Sequence, residues 1–205
     1  MKIYQYKDYN DYVNAQIEAC RKKHENVWVN EENIKFLAEY ILTKLPLCRK
    51  GLCHGVRQGL EQLFFMKYLK SHFPDYEVIG TEIGVTDAEY TVIWDFNKVN
   101  NDWQNKFDFI YSNSFDHAFN PEKTINVWAG QVGPGGLIIL ESDQRNEHTG
   151  EISKKINRTD PVSVRIDELI KLVPKWVPGA KIKDVLSMPV INCGNYQKSI
   201  IIEVQ

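Results

Sequence analysis

Residues 50 to 61 limit the fold of this chain more than any other stretch. A short apolar run, Gly51-Leu52-Cys53, stops at His54-Gly55, and Gly59 then opens a segment in which Leu60, Leu63, Phe64 and Tyr68 fall on one helical face. A strand, a glycine turn and a helix in that order bring backbone N–H groups close to a ligand, because glycine permits close approach and a helix N-terminus has unpaired donors. The spacing predicts the ligand turn of a doubly wound α/β domain. Arg57 stands where many such turns carry a further glycine.

A chain of 205 residues can bury the core of one such domain with a small appendage. A net charge of −2 gives no electrostatic reason to expect a nucleic-acid or membrane partner. No apolar run approaches the roughly 20 residues that span a bilayer. The N-terminus lacks an apolar signal core, so a cytoplasmic location is expected. Cys20, Cys48, Cys53 and Cys193 read as buried free thiols, since the spacing of Cys48 and Cys53 completes no zinc set. No metal is expected.

Residues 8 to about 23 read as an amphipathic helix with Tyr9, Tyr12, Val13, Ile17 and Cys20 on one side. Its basic end, Arg21-Lys22-Lys23, is either a solvated terminus or a contact to an anionic substrate group. A second helix is predicted from Glu31 to Leu45, capped by Asn30 and stopped by Pro46. These two helices form an N-terminal extension, residues 1–47, that either covers the ligand site as a lid or packs on the sheet; residues 48–205 form the α/β domain.

The remaining strands follow in sequence. Tyr76 to Ile83 carries the acid Glu82 roughly 20 residues past the glycine turn, the spacing at which a carboxylate accepts from ribose hydroxyls. Tyr90 to Phe96 again ends in an acid, Asp95, and Phe107 to Ser112 leads into Asn113-Ser114-Phe115-Asp116-His117. Asn120-Pro121-Glu122 starts a helix. Gly133-Pro134-Gly135-Gly136 turns into Leu137 to Leu140, a continuous apolar run suited to a strand covered on both faces. A polar loop is expected from Glu141 to Thr159, and Asp160-Pro161 is read as capping a further helix. Two last strands, Lys181 to Met188 and Gln197 to Val204, are joined by a segment too short for a crossover helix, which makes the terminal strand antiparallel.

This order resembles the class I S-adenosylmethionine-dependent methyltransferases over about Cys48 to Gln205. The likeness is carried by His54 to Gly59, Glu82, Asp95-Phe96, Phe107 to His117, and Pro134-Gly135-Gly136. It implies a Rossmann-like, mostly parallel seven-stranded sheet with an antiparallel terminal strand, and S-adenosyl-L-methionine as cofactor. The resemblance further implies that the backbone around Cys53, His54 and Gly55 contacts the methionine part and Gly59 allows close helix packing. Arg57, counted with the cofactor-binding residues, reaches a substrate, pairs with Glu61 or braces the turn; Glu82 binds the ribose, with Ile83 beside it in the cofactor-binding set. Asp95 and Phe96 flank adenine, and Ser112, Asn113 and Ser114 line the floor beside the sulfonium.

The cofactor brings its own leaving group, so the protein has to align an acceptor and exclude water. A hydroxyl acceptor also needs a base. His117 is the candidate because an imidazole titrates near pH 6.5, with Asp116 as the alternative and a purely structural role for His117 left open. His148 is a weaker candidate, and His24 and His72 read as surface residues. No Asn-Pro-Pro-Tyr base-flipping signature is present, which favours a small-molecule acceptor such as a sugar or metabolite hydroxyl. Two other readings stand beside methyl transfer: a catalytically silent cofactor-binding relative, and a nicotinamide-dependent oxidoreductase.

Overall fold

The computed structural model describes residues 1–143, 156–190 and 197–205. In chain order the elements are β1 (Lys2–Ile3), α1 (Tyr9–Lys22), α2 (Glu31–Lys44), β2 (Lys50–His54), α3 (Leu60–Leu69), β3 (Glu77–Glu82), β4 (Thr91–Ile93), β5 (Phe107–Ser112), α4 (Pro121–Gln131), β6 (Val132–Asp143), β7 (Val162–Ser163), α5 (Ile166–Trp176), β8 (Lys181–Ser187) and β9 (Gln197–Glu203). The helix starts follow their caps. Asp8 Oδ accepts from Asp11 N, Asn30 from Glu32 N and Asn33 N, and Asn120 from Lys123 N.

Seven strands form one sheet in the order β4-β3-β2-β5-β6-β9-β8. The first five are parallel, and β9 runs antiparallel to both of its neighbours. Strands in the centre alternate between two apolar layers. Leu52, Ile110, Ile138, Leu140, Ile200 and Ile202 meet α4 and α5 through Trp128, Ile125, Leu169 and Val173. Cys53, Phe109, Tyr111, Leu137, Ile139 and Ile201 meet α2 and α3 through Ile34, Leu37, Ile41, Phe65 and Leu69. Both faces are therefore covered, as a parallel sheet requires.

Several boundaries differ from the sequence expectation. The third predicted strand shrinks to Thr91–Ile93 because Asp95 and the residues after it turn over the sheet edge. β6 starts at Val132, ahead of the glycine turn. Its pairing with β5 steps from Phe107↔Val132 to Phe109↔Leu137, so the Gly-Pro-Gly-Gly segment bulges out of the ladder. Asp160-Pro161 does not begin a helix. It leads into β7, which pairs antiparallel with β1, and α5 begins at Ile166 after a capping box in which Glu168 accepts from Arg165 N. Residues 144–155, with His148, Lys154 and Lys155, and residues 191–196, with Cys193, lie outside the described residues.

The N-terminal helices have different places. α2 packs with α3 on one sheet face, and Tyr40 OH bonds Asp184 on β8. α1 lies across the carboxyl ends of β3, β4 and β5, tied down by Tyr9 to Asp95, Tyr12 to the His117 carbonyl and Arg158 to Asp11. Among the described residues no helix is long and apolar enough to cross a membrane.

Candidate active site

The cleft opens where the chain, having laid β3 and β4 on one side of β2, returns to β5 on the other. Open α/β sheets bind ligands at such a reversal. It is open to solvent on one side and is lined by Tyr12, Gln16, Ala19, Cys20, Gly55, Arg57, Glu82, Ile83, Asp95, Phe96, Ser114 and His117.

The glycine turn forms the inner wall. Gly55 has φ +75°, and a Cβ there would lie 2.7 Å from Ser114 Cβ, so only glycine fits the approach of this turn to the end of β5. Gly59 has φ +73° and opens α3. Arg57 also adopts a positive φ, +43°, held by its side chain donating to the Asn26 carbonyl at 3.0 Å and its backbone N–H donating to Glu82 Oε2 at 2.9 Å. Glu82 accepts a second backbone bond from Gly84 N at 3.1 Å and is 6% exposed on the wall. Cys20 faces it from α1, and burial, then the Glu82 charge, pushes that thiol up to about 11.

The outer wall is built on Asp95. Its Oδ1 accepts from Asn97 N at 3.0 Å and Asn97 Nδ2 at 2.8 Å, and its Oδ2 accepts from Tyr9 OH at 2.5 Å. Burial first, then this bond to Asp95, holds the Tyr9 phenol far above its ordinary range. Phe96 stands edge-on to Trp128 at 5.4 Å, and Trp128 Nε1 donates to the Phe96 carbonyl.

At the far end, hydrogen bonds fix the tautomer of His117. Tyr6 OH donates to the Arg158 carbonyl at 2.6 Å and accepts from Gln16 Nε2 at 3.2 Å. Gln16 Oε1 therefore faces His117 Nδ1 at 3.0 Å, and Nδ1 is the donor of that pair. Nε2 lies 3.8 Å from Asp116 Oδ1 and 3.9 Å from Asp160 Oδ1. Asp116, His117 and Asp160 each place one ligand-type atom within 4.8 Å of the others, and Lys23 Nζ sits 3.3 Å from Asp160 Oδ1.

No protein-family model matches the chain. No curated protein matches it in sequence. Solved structures do match in shape. Burkholderia thailandensis 1,6-didemethyltoxoflavin-N1-methyltransferase, crystallised with 1,6-didemethyltoxoflavin and S-adenosylhomocysteine, superposes with a TM-score of 0.75 over 98% of this chain and 92% of its own, at 12% identity. The plantazolicin methyltransferase BpumL with S-adenosylhomocysteine gives 0.63 over 96% of each chain at 9% identity. An S-adenosylmethionine-dependent methyltransferase from Aquifex aeolicus gives 0.55 over 87% of this chain and all of its own, at 14% identity. The chain has the class I methyltransferase fold.

Within this methyltransferase fold, the cleft gathers Gly55, Arg57, Glu82, Ile83, Asp95, Phe96, Ser114 and His117 from the residues singled out in the sequence. Six others stand outside its lining. Cys53 is fully buried on the α3 face. His54 is also buried. Its Nδ1 lies 2.8 Å from Thr81 Oγ1, its Nε2 lies 2.9 Å from Gln131 Oε1, and its ring stacks on Trp128 at 4.7 Å. Burial pulls its pKa down to about 4 and keeps the ring neutral. Gly59 packs α3 against its surroundings, Ser112 Oγ donates to the His54 carbonyl at 2.9 Å, Asn113 turns toward Glu61, and Asp116 sits beside His117.

Four lining residues come from α1: Tyr12, Gln16, Ala19 and Cys20. Apolar periodicity placed Val13 and Ile17 on the inner face, whereas Tyr12, Ala15, Gln16, Ala19 and Cys20 are the buried ones. The true inner face is rotated toward small and amide-bearing residues because it meets a polar cleft. An inward Gln16 four residues after Tyr12 was the signal available.

Proposed function

We propose that this chain is an S-adenosylmethionine-dependent methyltransferase acting on a small-molecule acceptor. The observation that carries this reading is the convergence of Gly55, Glu82 and Asp95 on one cleft at the sheet reversal. The donor set fits the cofactor: a buried-edge carboxylate for the ribose, a second acid and the Phe96 ring for adenine, and a glycine turn for close approach. The S-adenosylhomocysteine seen in structural neighbours of this fold supports it. The antiparallel β9 between β6 and β8 departs from the dinucleotide-binding strand order and weighs against a nicotinamide enzyme.

Glu82 holds the ribose hydroxyls while its own bonds to Arg57 N and Gly84 N keep it rigid. Bound cofactor supplies an electrophilic methyl group with a built-in leaving group. The residues of the chain then have three tasks. Gly55 and Ser114 set the floor on which the acceptor approaches. Helix α1, within the 1–47 extension, acts as a lid that excludes water. His117 Nε2 takes the proton when the acceptor is a hydroxyl or a ring N–H. A cleft roofed by a helix suits a small acceptor, and 1,6-didemethyltoxoflavin in the neighbouring structure is one such molecule bound by that protein.

The engagement of Asp95 Oδ2 by Tyr9 favours a second reading, a relative that binds without turnover. Calorimetric titration with S-adenosylhomocysteine and with NAD tests the first point: binding of the former and not the latter is expected, and no binding of S-adenosylhomocysteine refutes the reading. Incubation with methyl-labelled donor and a panel of hydroxyl and heteroaromatic acceptors then separates the enzyme from the silent relative.

A further inference from the structure

Helix α1 holds His117 at two points. Tyr12 and Gln16 stand one turn apart on its buried face, where residues four apart are neighbours. Tyr12 OH donates to the His117 carbonyl at 3.0 Å, and Gln16 Oε1 lies 3.0 Å from His117 Nδ1. Gln16 and His117 both line the cleft, and Gln16 is 6% exposed. Glutamine is ordinarily an exposed residue, and a buried one must have its amide satisfied.

The surroundings of that amide keep it from turning over. Tyr6 OH gives its proton to the Arg158 carbonyl at 2.6 Å, so toward Gln16 it accepts, and it faces Nε2 at 3.2 Å. The Thr159 carbonyl, 3.5 Å from the same nitrogen, accepts as well. A flipped amide would set Oε1 against two oxygens that have no proton to give. Oε1 is thereby committed to His117, and it accepts there only when Nδ1 holds a proton. In the neutral ring, a proton on Nδ1 leaves the lone pair on Nε2. Asp116 Oδ1 and Asp160 Oδ1, 3.8 and 3.9 Å from Nε2, stand where they offset positive charge that reaches the ring, while Lys23 Nζ pairs with Asp160.

We propose that Gln16 is a positioning residue for His117: it keeps the ring proton on Nδ1 and so presents Nε2 as the atom that takes the acceptor's proton. This assignment rests on the methyltransferase reading above. The O–H or N–H proton of the acceptor moves to Nε2, and its electron pair stays on the acceptor atom. Nδ1 keeps its own proton and goes on donating to Gln16, so no second transfer is needed. Because Gln16 belongs to α1, the base is set only when that helix is seated. The helix that shuts out water also orients the group that receives the proton.

The test is nitrogen NMR of ring-labelled, unliganded protein at about pH 8, above the ordinary imidazole range, where long-range couplings tell a protonated ring nitrogen from a bare one. His117→Gln identifies the His117 signals among the five histidines. Wild type is expected to hold the Nδ1–H form as its main species. Gln16→Leu should lower the ratio of Nδ1–H to Nε2–H by at least about fivefold, the worth of one hydrogen bond, and Gln16→Glu, which keeps an acceptor in that place, should restore the wild-type form. Should melting show Gln16→Leu misfolded, Tyr6→Phe, which leaves Gln16 in place but frees its amide to turn, makes the same comparison. A main Nε2–H form in wild type, a ring protonated at both nitrogens, or a ratio that the folded variants leave unchanged overturns the assignment while the cofactor reading stands. If wild type fails to bind S-adenosylhomocysteine in calorimetry, the cofactor reading itself fails and takes the assignment with it.

Discussion

Tyr9 on α1 donates its phenolic proton to Oδ2 of Asp95, just past β4, at 2.5 Å. One bond thus joins the covering helix to the acid proposed to read adenine, and it engages an oxygen on which that reading depends. Tyr9→Phe is expected to cost about 1–2 kcal/mol in denaturant unfolding, as for a half-buried bond to a charged acceptor. It should also raise S-adenosylhomocysteine affinity severalfold by freeing Oδ2. A fall in affinity would mean that the phenol itself contacts the ligand.

The buried carboxyls set a pH response. Glu61 at about 8 and Glu141 at about 7 both lie above the ordinary carboxylate value because burial disfavours their charge. The folded state therefore holds more protons than the unfolded chain, and stability falls as pH rises from about 4.5 to 8. His54 works the other way: its folded value of about 4 lies below the unfolded one, so stability is lost as pH falls below about 6.5. Between pH 6.5 and 8 the glutamates act and His54 does not. Unfolding free energies of the unliganded protein should decline across that window, by at most about 1.4 kcal/mol per pH unit for each carboxyl. The double variant Glu61→Gln/Glu141→Gln should flatten the decline, and an equally steep slope in the variant would contradict the assignment.

His54 is a structural residue in the geometry seen here. Its ring is bonded at both nitrogens and stacked on Trp128. His54→Ala should cost about 2–4 kcal/mol through lost packing and unpaired partners. The fraction that remains folded should bind S-adenosylhomocysteine as wild type does. A selective loss of binding in well-folded protein would give the side chain a part in the cofactor site.

At Gly55 the left-handed backbone and the 2.7 Å approach to Ser114 Cβ act together. Gly55→Ala is expected to destabilise by about 1–3 kcal/mol, from strain plus displacement of the β5 end. It should also weaken S-adenosylhomocysteine binding at a temperature where the variant is still folded. Unchanged melting would mean that the turn relaxes without loss.

The sequence patterns that survived best were those with a local physical cause. Asn30 and Asn120 mark their helix starts through side-chain acceptors, and the apolar run Leu137 to Leu140 marks a strand covered on both faces. The acids Glu82 and Asp95 were legible because one ends a strand and the other closely follows one. Other features depend on partners distant in the chain. Two-residue strands such as β1 and β7 have no periodicity to read, and they exist only through pairing across more than 150 residues. The inward face of α1 was hidden because Gln16 reads as a surface residue until His117 and Tyr6 are brought beside it.

The seat of β9 between β6 and β8 has a consequence for how the molecule is made. β9 follows β8 in the chain yet fills the position between β6 and β8, so until it is made those two strands each present a bare row of amide and carbonyl groups. A nascent chain halted before Gln197 would carry two sticky margins instead of one closed ladder. Protection of those two margins from self-association therefore waits on β9.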